Sequence, residues 1–361
     1  MRIAAVEVIP YALPFRESYV TARGRLEQRE MVLLRLRSPE GLTGLGEAVP
    51  LSLRGGAGLA QVVAELERLA ALEQLSEDTI RAGAAGLSAP ARCAALTALL
   101  DLRGRQAGSM SQSTPDTGRD HAGDGEPGAV TCNATLVADE PAAVAAEALR
   151  WAADGFSTFK LKVGPGTDVS QARAVREALG PGPRIRVDAN ATWDAETARR
   201  ALTELAPLGI ELVEQPVATL AEMAALAAET AVPLAADESV ASLAEAERAA
   251  ALGACEFTGI KLSKVGGPEQ AVEIADVLPA YVSSALDGPV GIAAAGQVAL
   301  TLGGSDRPER LDLAHGLATQ RLFASTIAAV ECELRGDRLH LPPGPGLGVE
   351  IDEDALQAHR I

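Results

Sequence analysis

An α/β chain built around a (β/α)8-type barrel, with a smaller mixed unit beside it, is the fold this sequence predicts. Three observations lead there. From residue 130 onward, eight short β-like runs alternate with Ala/Leu/Glu/Arg segments of helical period. The first hundred residues follow another plan, with strands first and helices after. No GxGxxG follows the first βα turn, which weakens the alternative of a doubly wound open sheet. At 361 residues the chain also exceeds one typical domain.

Taken in order, Val6–Pro14 and Met31–Arg37 are rich in β-formers, and the polar stretch Glu17–Glu30 between them is a loop or a long hairpin. Ser38-Pro39-Glu40-Gly41 is a turn that leads into Leu42–Val49. Residues 57–106 are Ala/Leu-rich with helical spacing. Gly108–Gly128 has no apolar period and is dominated by Gly, Ser, Asp, Pro and Thr, the composition of a disordered insertion or linker. The barrel strands are expected at Thr131–Leu136, Thr158–Val163, Arg184–Ala189, Ile210–Glu214, Pro233–Asp237, Thr258–Leu262, Ala280–Leu286 and Leu311–Ala314. The segments share no repeated motif, so a repeat array is not indicated. The tail, Cys332–Ile361, returns to short strand-like pieces. Boundaries are therefore expected at 1–107, 108–128, 129–324 and 325–361.

Composition narrows the function. Hydrophobic residues make up 47% of the chain but aromatics only 3%, so the core must be built from Ala, Leu and Val. A net charge of −17 repels phosphate backbones and argues against nucleic acid as a partner. No run approaches the ~20 apolar residues of a membrane span, and no signal-peptide core is present, so a cytoplasmic protein is expected. Cys93, Cys132, Cys255 and Cys332 stand far apart with no CxxC pair, which suits a reducing compartment and gives no zinc signature.

The ends of barrel strands point side chains at one face, where active sites are built. Reading those ends gives Lys160 and Lys162, then Asp188, Glu214, Asp237 and Lys261. From Asp188 to Lys261 the spacings are 26, 23 and 24 residues, each about one βα unit. Three carboxylates on successive strands offer hard oxygen ligands suited to Mg²⁺, with Mn²⁺ a substitute. In Phe159-Lys160-Leu161-Lys162, period-2 alternation places both ammonium groups on one face. Like charge and a dication both disfavour protonation, so a lysine here could act as a base. Lys261, four strands further round, would face it across the metal. Two proton-transfer groups about a Lewis acid suit removal of a proton beside a carboxylate, so a small-molecule carboxylate is the expected substrate.

Each residue taken singly also has a structural reading, as a cap or an ion-pair partner; the six together at matched strand ends are harder to explain that way. Asn190 and Glu238 are candidates to support the site, and Lys264 reads as a surface lysine. His315 reads as structural, while His121, His340 and His359 fall in loops or the tail. Ser283 and Ser284 lack a histidine at triad spacing, which argues against acyl transfer.

Five ordered motifs, Lys160-Leu161-Lys162, Val187-Asp188-Ala189-Asn190, Val213-Glu214-Gln215-Pro216, Ala236-Asp237-Glu238-Ser239 and Ile260-Lys261-Leu262-Ser263, resemble the enolase superfamily, specifically its muconate-lactonizing subgroup. Gly44-Leu45-Gly46-Glu47-Ala48 resembles the capping domain of that superfamily. The resemblance covers nearly all of the chain except 108–128. It implies a modified TIM-type barrel with an α+β capping domain made from 1–107 and the returning segment 325–361, and Mg²⁺ held by Asp188, Glu214 and Asp237. The absence of histidine between 122 and 314 removes the His–Asp base of the mandelate-racemase subgroup and leaves Lys261 on that side. Within the subgroup, Tyr281–Ile292 and the Ala-rich character are similar to the o-succinylbenzoate synthases of menaquinone synthesis, particularly actinobacterial ones. That similarity implies Lys162 as proton-transfer group, Lys261 as a cation beside the enediolate, Ser284 at the succinyl carboxylate, and a loop around Tyr19–Arg25 closing over the site. Ala285-Leu286-Asp287 supplies one Asp where dipeptide epimerases carry an Asp-x-Asp pair. N-acylamino acid racemisation, lactonisation and a catalytically silent binding role stand as alternatives. Oligomeric state is not legible.

Overall fold

Met31-Val32-Leu33-Leu34 is an unbroken apolar run, the pattern of a strand covered on both faces. In the computed structural model, which describes residues 1–21, 24–52, 55–110, 128–137, 140–164, 169–302 and 313–361, that run lies in the middle strand of a three-stranded antiparallel sheet. The sheet comprises β1 (Ala5–Thr21), β2 (Gly24–Arg37) and β3 (Thr43–Ala48). The polar stretch after Pro14 is a long hairpin arm: β1 and β2 pair from Ala5↔Arg37 to Thr21↔Gly24, with a register break between Pro14 and Tyr19. The hairpin tip at 22–23 and the greater part of the expected linker, 111–127, lie outside the described residues.

On one face of β2, Val32, Leu34 and Leu36 pack into a core shared with helices α1 (Leu59–Ala70), α2 (Glu77–Ala84) and α3 (Ala89–Ala107). On the other face, Met31 and Leu33 join the larger core that continues into the barrel. Alternation across the pleat divides one apolar run between two cores. Close approach of α3 to β3 depends on small residues. A Cβ at Gly44 or Gly46 would collide with the backbone carbonyl of Ala98 or Ala94. Asp101 of α3, fully buried, accepts from Leu45 N (2.7 Å), Leu347 N (2.6 Å) and Arg105 Nε (3.0 Å), and so ties the N-terminal unit to the C-terminal tail.

After β4 (Ala129–Thr131), seven parallel strands follow in spatial order: β5 (Ala134–Leu136), β6 (Thr158–Lys162), β7 (Arg184–Asp188), β8 (Leu212–Glu214), β9 (Leu234–Ala236), β10 (Phe257–Ile260) and β11 (Ala280–Val282). Between them run α4 (Pro141–Ala153), α5 (Ser170–Leu179), α6 (Ala195–Leu205), α7 (Leu220–Ala227), α8 (Leu243–Leu252), the single turn α9 (Leu262–Val265) and α10 (Pro268–Val277). Side-chain caps start α6, α7 and α8, with Asp194 on Thr197 N, a reciprocal Thr219/Glu222 box and Ser242 on Glu245 N. Outward residues such as Leu161, Val187 and Val213 bury against these helices, while inward positions carry the polar side chains.

The ring is closed by a very short eighth strand. His315 bridges Cys132 and Gly316 bridges Ser283, both in parallel. The expectation of a strand at Leu311–Ala314 therefore shifts: 311 and 312 lie outside the described residues, and the pairing falls on His315-Gly316. Helix α11 (Pro289–Leu302) then packs on β11 and β3. The tail supplies β12 (Ala328–Val330), β13 (Glu333–Arg335), β14 (Arg338–His340), β15 (Glu350–Ile351) and α12 (Glu353–His359). β14 pairs with β4, whereas Glu353 reaches Arg35 of the N-terminal sheet at 2.7 Å. All four cysteines are buried and free. Among the described residues, no helix is long and apolar enough to cross a membrane.

Candidate active site at the barrel mouth

Register puts the predicted residues at one level. Lys162 lies beside Asp188, and Asp188 beside Glu214. Asp237 follows the last residue of β9 and Lys261 the last of β10. Lys162 and Lys261 thus stand four strands apart in a ring of eight, on opposite sides. Lys160, Asp188, Glu214, Asp237 and Lys261 are buried, and Lys162 is half-buried.

The carboxylates and lysines are paired. Lys160 Nζ lies 2.9 Å from Asp188 Oδ2 and 2.6 Å from Glu214 Oε2. Burial works to lower the Lys160 pKa, but the charges of Asp188 and Glu214 prevail and lift it above the ordinary lysine value. Asp188 shows the converse: burial pushes it up, and Lys160, Lys162 and Lys261 bring it below the usual carboxylate range. Asp237 is held from both sides, with Lys261 on Oδ2 and Lys264 Nζ on Oδ1 at 2.8 Å. Lys264 also donates to the carbonyls of Asp237 (2.5 Å) and Gly259 (3.2 Å). The reading of Lys264 as a surface lysine is corrected here. The turn α9 brings it back under the strand end, where only 9% of its side chain is exposed.

Two further residues escaped the sequence reading. Gln215, fully buried with φ 38°, accepts on Oε1 from Asp237 N (2.8 Å), Ser239 N (3.2 Å) and Ser239 Oγ (2.9 Å), and so fixes the loop that carries Asp237. Tyr281, on β11, donates its hydroxyl to Glu214 Oε2. Gln215 lies in the motif Val213-Glu214-Gln215-Pro216 and Tyr281 opens the segment Tyr281–Ile292, but neither motif shows what the side chain bonds.

Asn190 and Glu238, the candidates for support, meet one another. Asn190 Nδ2 lies 3.3 Å from Glu238 Oε1, and its N–H donates to Asp188 Oδ1 at 3.0 Å. Asn190 and Ala191 both have positive φ, at 46° and 59°, local strain of the kind found at functional sites. The hydroxyl of Ser284, expected at a substrate carboxylate, is otherwise engaged. It donates to Asp287 Oδ2 at 2.7 Å and accepts from Leu286 N and Asp287 N, which fixes the turn after β11. His315 is structural: Nδ1 accepts from Val282 N at 3.0 Å, and burial with Arg186 nearby pushes its pKa down to about 3.

Among the described residues, no three His, Cys, Asp or Glu side chains are gathered as they would be about an ion; Lys160 intervenes between Asp188 and Glu214, and two lysines occupy Asp237. The donor set nevertheless fits a hard divalent cation. It is all carboxylate, it comes from three adjacent strands, and Glu214 Oε1 is buried without a hydrogen-bond partner. Opposed lysines about such a set can remove and return a proton on a bound carboxylate.

The chain is similar to several known proteins. Residues 143–355 match the family described as "Enolase C-terminal domain-like". An o-succinylbenzoate synthase from Thermobifida fusca is 37% identical over 63% of this chain and 73% of its own length. Muconate cycloisomerase 1 of Pseudomonas putida is 29% identical over 97% and 96%, and a hydrophobic dipeptide epimerase of Enterococcus faecalis 30% over 97% and 99%. Among solved structures, the Cytophaga hutchinsonii dipeptide epimerase complexed with Mg and D-Ala-L-Val superposes with a TM-score of 0.89 at 26% identity, covering 99% of this chain and 98% of that one. Muconate lactonizing enzyme from Pseudomonas fluorescens, complexed with muconolactone, gives 0.87 at 28%, covering 100% and 99%.

Proposed function

Because this chain belongs to the enolase superfamily, with relatives of the muconate-lactonizing subgroup, we propose that it is a metal-dependent hydro-lyase of the o-succinylbenzoate synthase type. The observation that carries the reading is the placement of Lys162 and Lys261 four strands apart, on either side of Asp188, Glu214 and Asp237. The synthase of Thermobifida fusca, at 37% identity, supports this particular chemistry. Mg²⁺, or Mn²⁺ in its place, held by Asp188, Glu214 and Asp237, would supply positive charge to the substrate carboxylate as its α-proton leaves.

Lys162 removes that α-proton from the succinyl-hydroxycyclohexadiene carboxylate. As the base it must arrive neutral, and it sits half-buried at the end of β6. Lys261, still cationic, stabilises the enediolate. Lys162 then returns its proton to the hydroxyl group leaving the adjacent carbon, and water departs. Lys160 and Lys264 act on the carboxylates rather than on substrate, since both are engaged with them.

A second reading, racemisation of N-acylamino acids, uses the same lysines as two bases, and the dipeptide epimerase relatives favour keeping it. Purified protein assayed with Mg²⁺ against the cyclohexadiene precursor and a panel of N-acylamino acids separates the two. A synthase dehydrates the precursor, loses activity to EDTA and regains it with Mg²⁺. Lys162→Ala should lower turnover by ~10²–10⁴ and abolish α-proton exchange with solvent. Lys261→Arg, which keeps charge but cannot act as a base, should retain more dehydration than Lys261→Ala. Racemisation without dehydration would replace the first reading by the second.

A further inference from the structure

We infer that Tyr281 is a positioning residue for metal binding, one that determines which oxygen of Glu214 faces the ion. The inference rests on the reading of Asp188, Glu214 and Asp237 as the ligand set. Glu214 has two carboxylate oxygens in unequal surroundings. Oε2 receives the Tyr281 hydroxyl and, at 2.6 Å, Lys160 Nζ. Oε1 is buried with no partner. An orphaned carboxylate oxygen is expensive in a closed interior unless a cation meets it. Two donors on one oxygen and none on the other hold Glu214 as a one-oxygen ligand with its free atom presented.

The phenol is built to reach that point. Tyr281 starts from the apolar layer inside the barrel, among Leu212, Ala235, Phe257 and Leu313, and is fully buried. Its hydroxyl crosses from β11 to β8, three strands away. Gly259, its neighbour in register on β10, leaves the passage open, because a Cβ there would lie 3.1 Å from the Tyr281 oxygen and 3.3 Å from the ring. Arg186 lies over the ring at 4.9 Å and is itself fixed by Glu211 (2.5 Å) and the Ala314 carbonyl (2.7 Å). The ring is therefore held in place, and removing its oxygen changes no formal charge in the site.

The test is Mn²⁺ titration of the full-length protein, followed by electron paramagnetic resonance, on the wild type, Tyr281→Phe and Phe257→Leu. Partners that orient metal ligands are typically worth 10–100-fold in affinity. Tyr281→Phe should weaken Mn²⁺ binding by tenfold or more with its circular dichroism unchanged. Phe257→Leu, which trims the same apolar layer without touching a carboxylate, should bind as the wild type does. Equal affinity in Tyr281→Phe and wild type overturns the tyrosine's role alone. An equal loss in Phe257→Leu overturns it too, because general loosening would then explain the effect. A wild type that binds no Mn²⁺ overturns the ligand set and this inference with it.

Discussion

Raising the pH should loosen the joint between the N-terminal sheet and the barrel, and Glu47 is the residue responsible. Its buried carboxyl leaves β3, accepts Gly288 N–H at 2.7 Å just before α11 and receives the Tyr11 hydroxyl at 2.8 Å. Gly291, one turn on, has no room for a Cβ, which would stand 2.7 Å from Glu47 Oε1. Burial, followed by the negative charge of Asp287, raises the Glu47 pKa from the usual 4.5 to about 7, against the pull of the bonds from Tyr11, Gly288 and Gly291. The folded protein therefore holds this proton more tightly than the unfolded chain does. Its contribution to stability is complete below the unfolded pKa of 4.5 and is lost as pH rises through about 7. At ~1.4 kcal/mol per tenfold change in proton affinity, the loss amounts to ~3 kcal/mol. Asp287, also raised by burial, acts in the same direction. Glu47→Gln keeps an acceptor for Gly288 and removes the ionisation. Urea midpoints between pH 5 and 8.5 should fall for the wild type and stay nearly level for the variant, with the variant the more stable at the alkaline end. Parallel curves would refute the reasoning.

Other perturbations test other joints. Asp101→Ala leaves the N–H groups of Leu45 and Leu347 unbonded and Arg105 without its carboxylate, so unfolding free energy should drop by about 3–5 kcal/mol in denaturant titration. Gly46→Ala forces a methyl against the Ala94 carbonyl, where backbone cannot yield, and should cost about 1–3 kcal/mol, read as a lower urea midpoint at unchanged slope. Glu214→Gln should weaken Mg²⁺ binding, measured by calorimetry, while circular dichroism stays that of the wild type.

The barrel was legible because its signal is periodic. Alternating inward and outward residues in Thr158–Lys162 and Arg184–Asp188, and carboxylates one βα unit apart, survive in one dimension. What was not legible depends on geometry between elements. Lys264 resembles any lysine on a short helix until that helix turns it under Asp237. Tyr281 resembles a core aromatic, because nothing local says that Gly259 opens a path to Glu214. Gln215 acts through a left-handed backbone that sequence does not announce. Ser284 is expected at the site from the resemblance alone, and its bond to Asp287, three residues on, depends on the turn after β11.

The barrel is a ring with a seam. Seven strands are joined edge to edge, whereas the eighth is two residues long and joins its neighbours at Cys132 and Ser283. Glu214 ends β8, the middle strand of the seven, with three on either side before the seam is reached. Like a cask that leaks first at its narrowest stave, the wall should part between β11 and β5 while the staves that carry Asp188, Glu214 and Asp237 stay joined. Native-state hydrogen exchange would record this order: early at Asn133, Ser284 and Gly316, late at Val187 and Val213. On the proposed reading, the chemistry is built where the wall should be last to open.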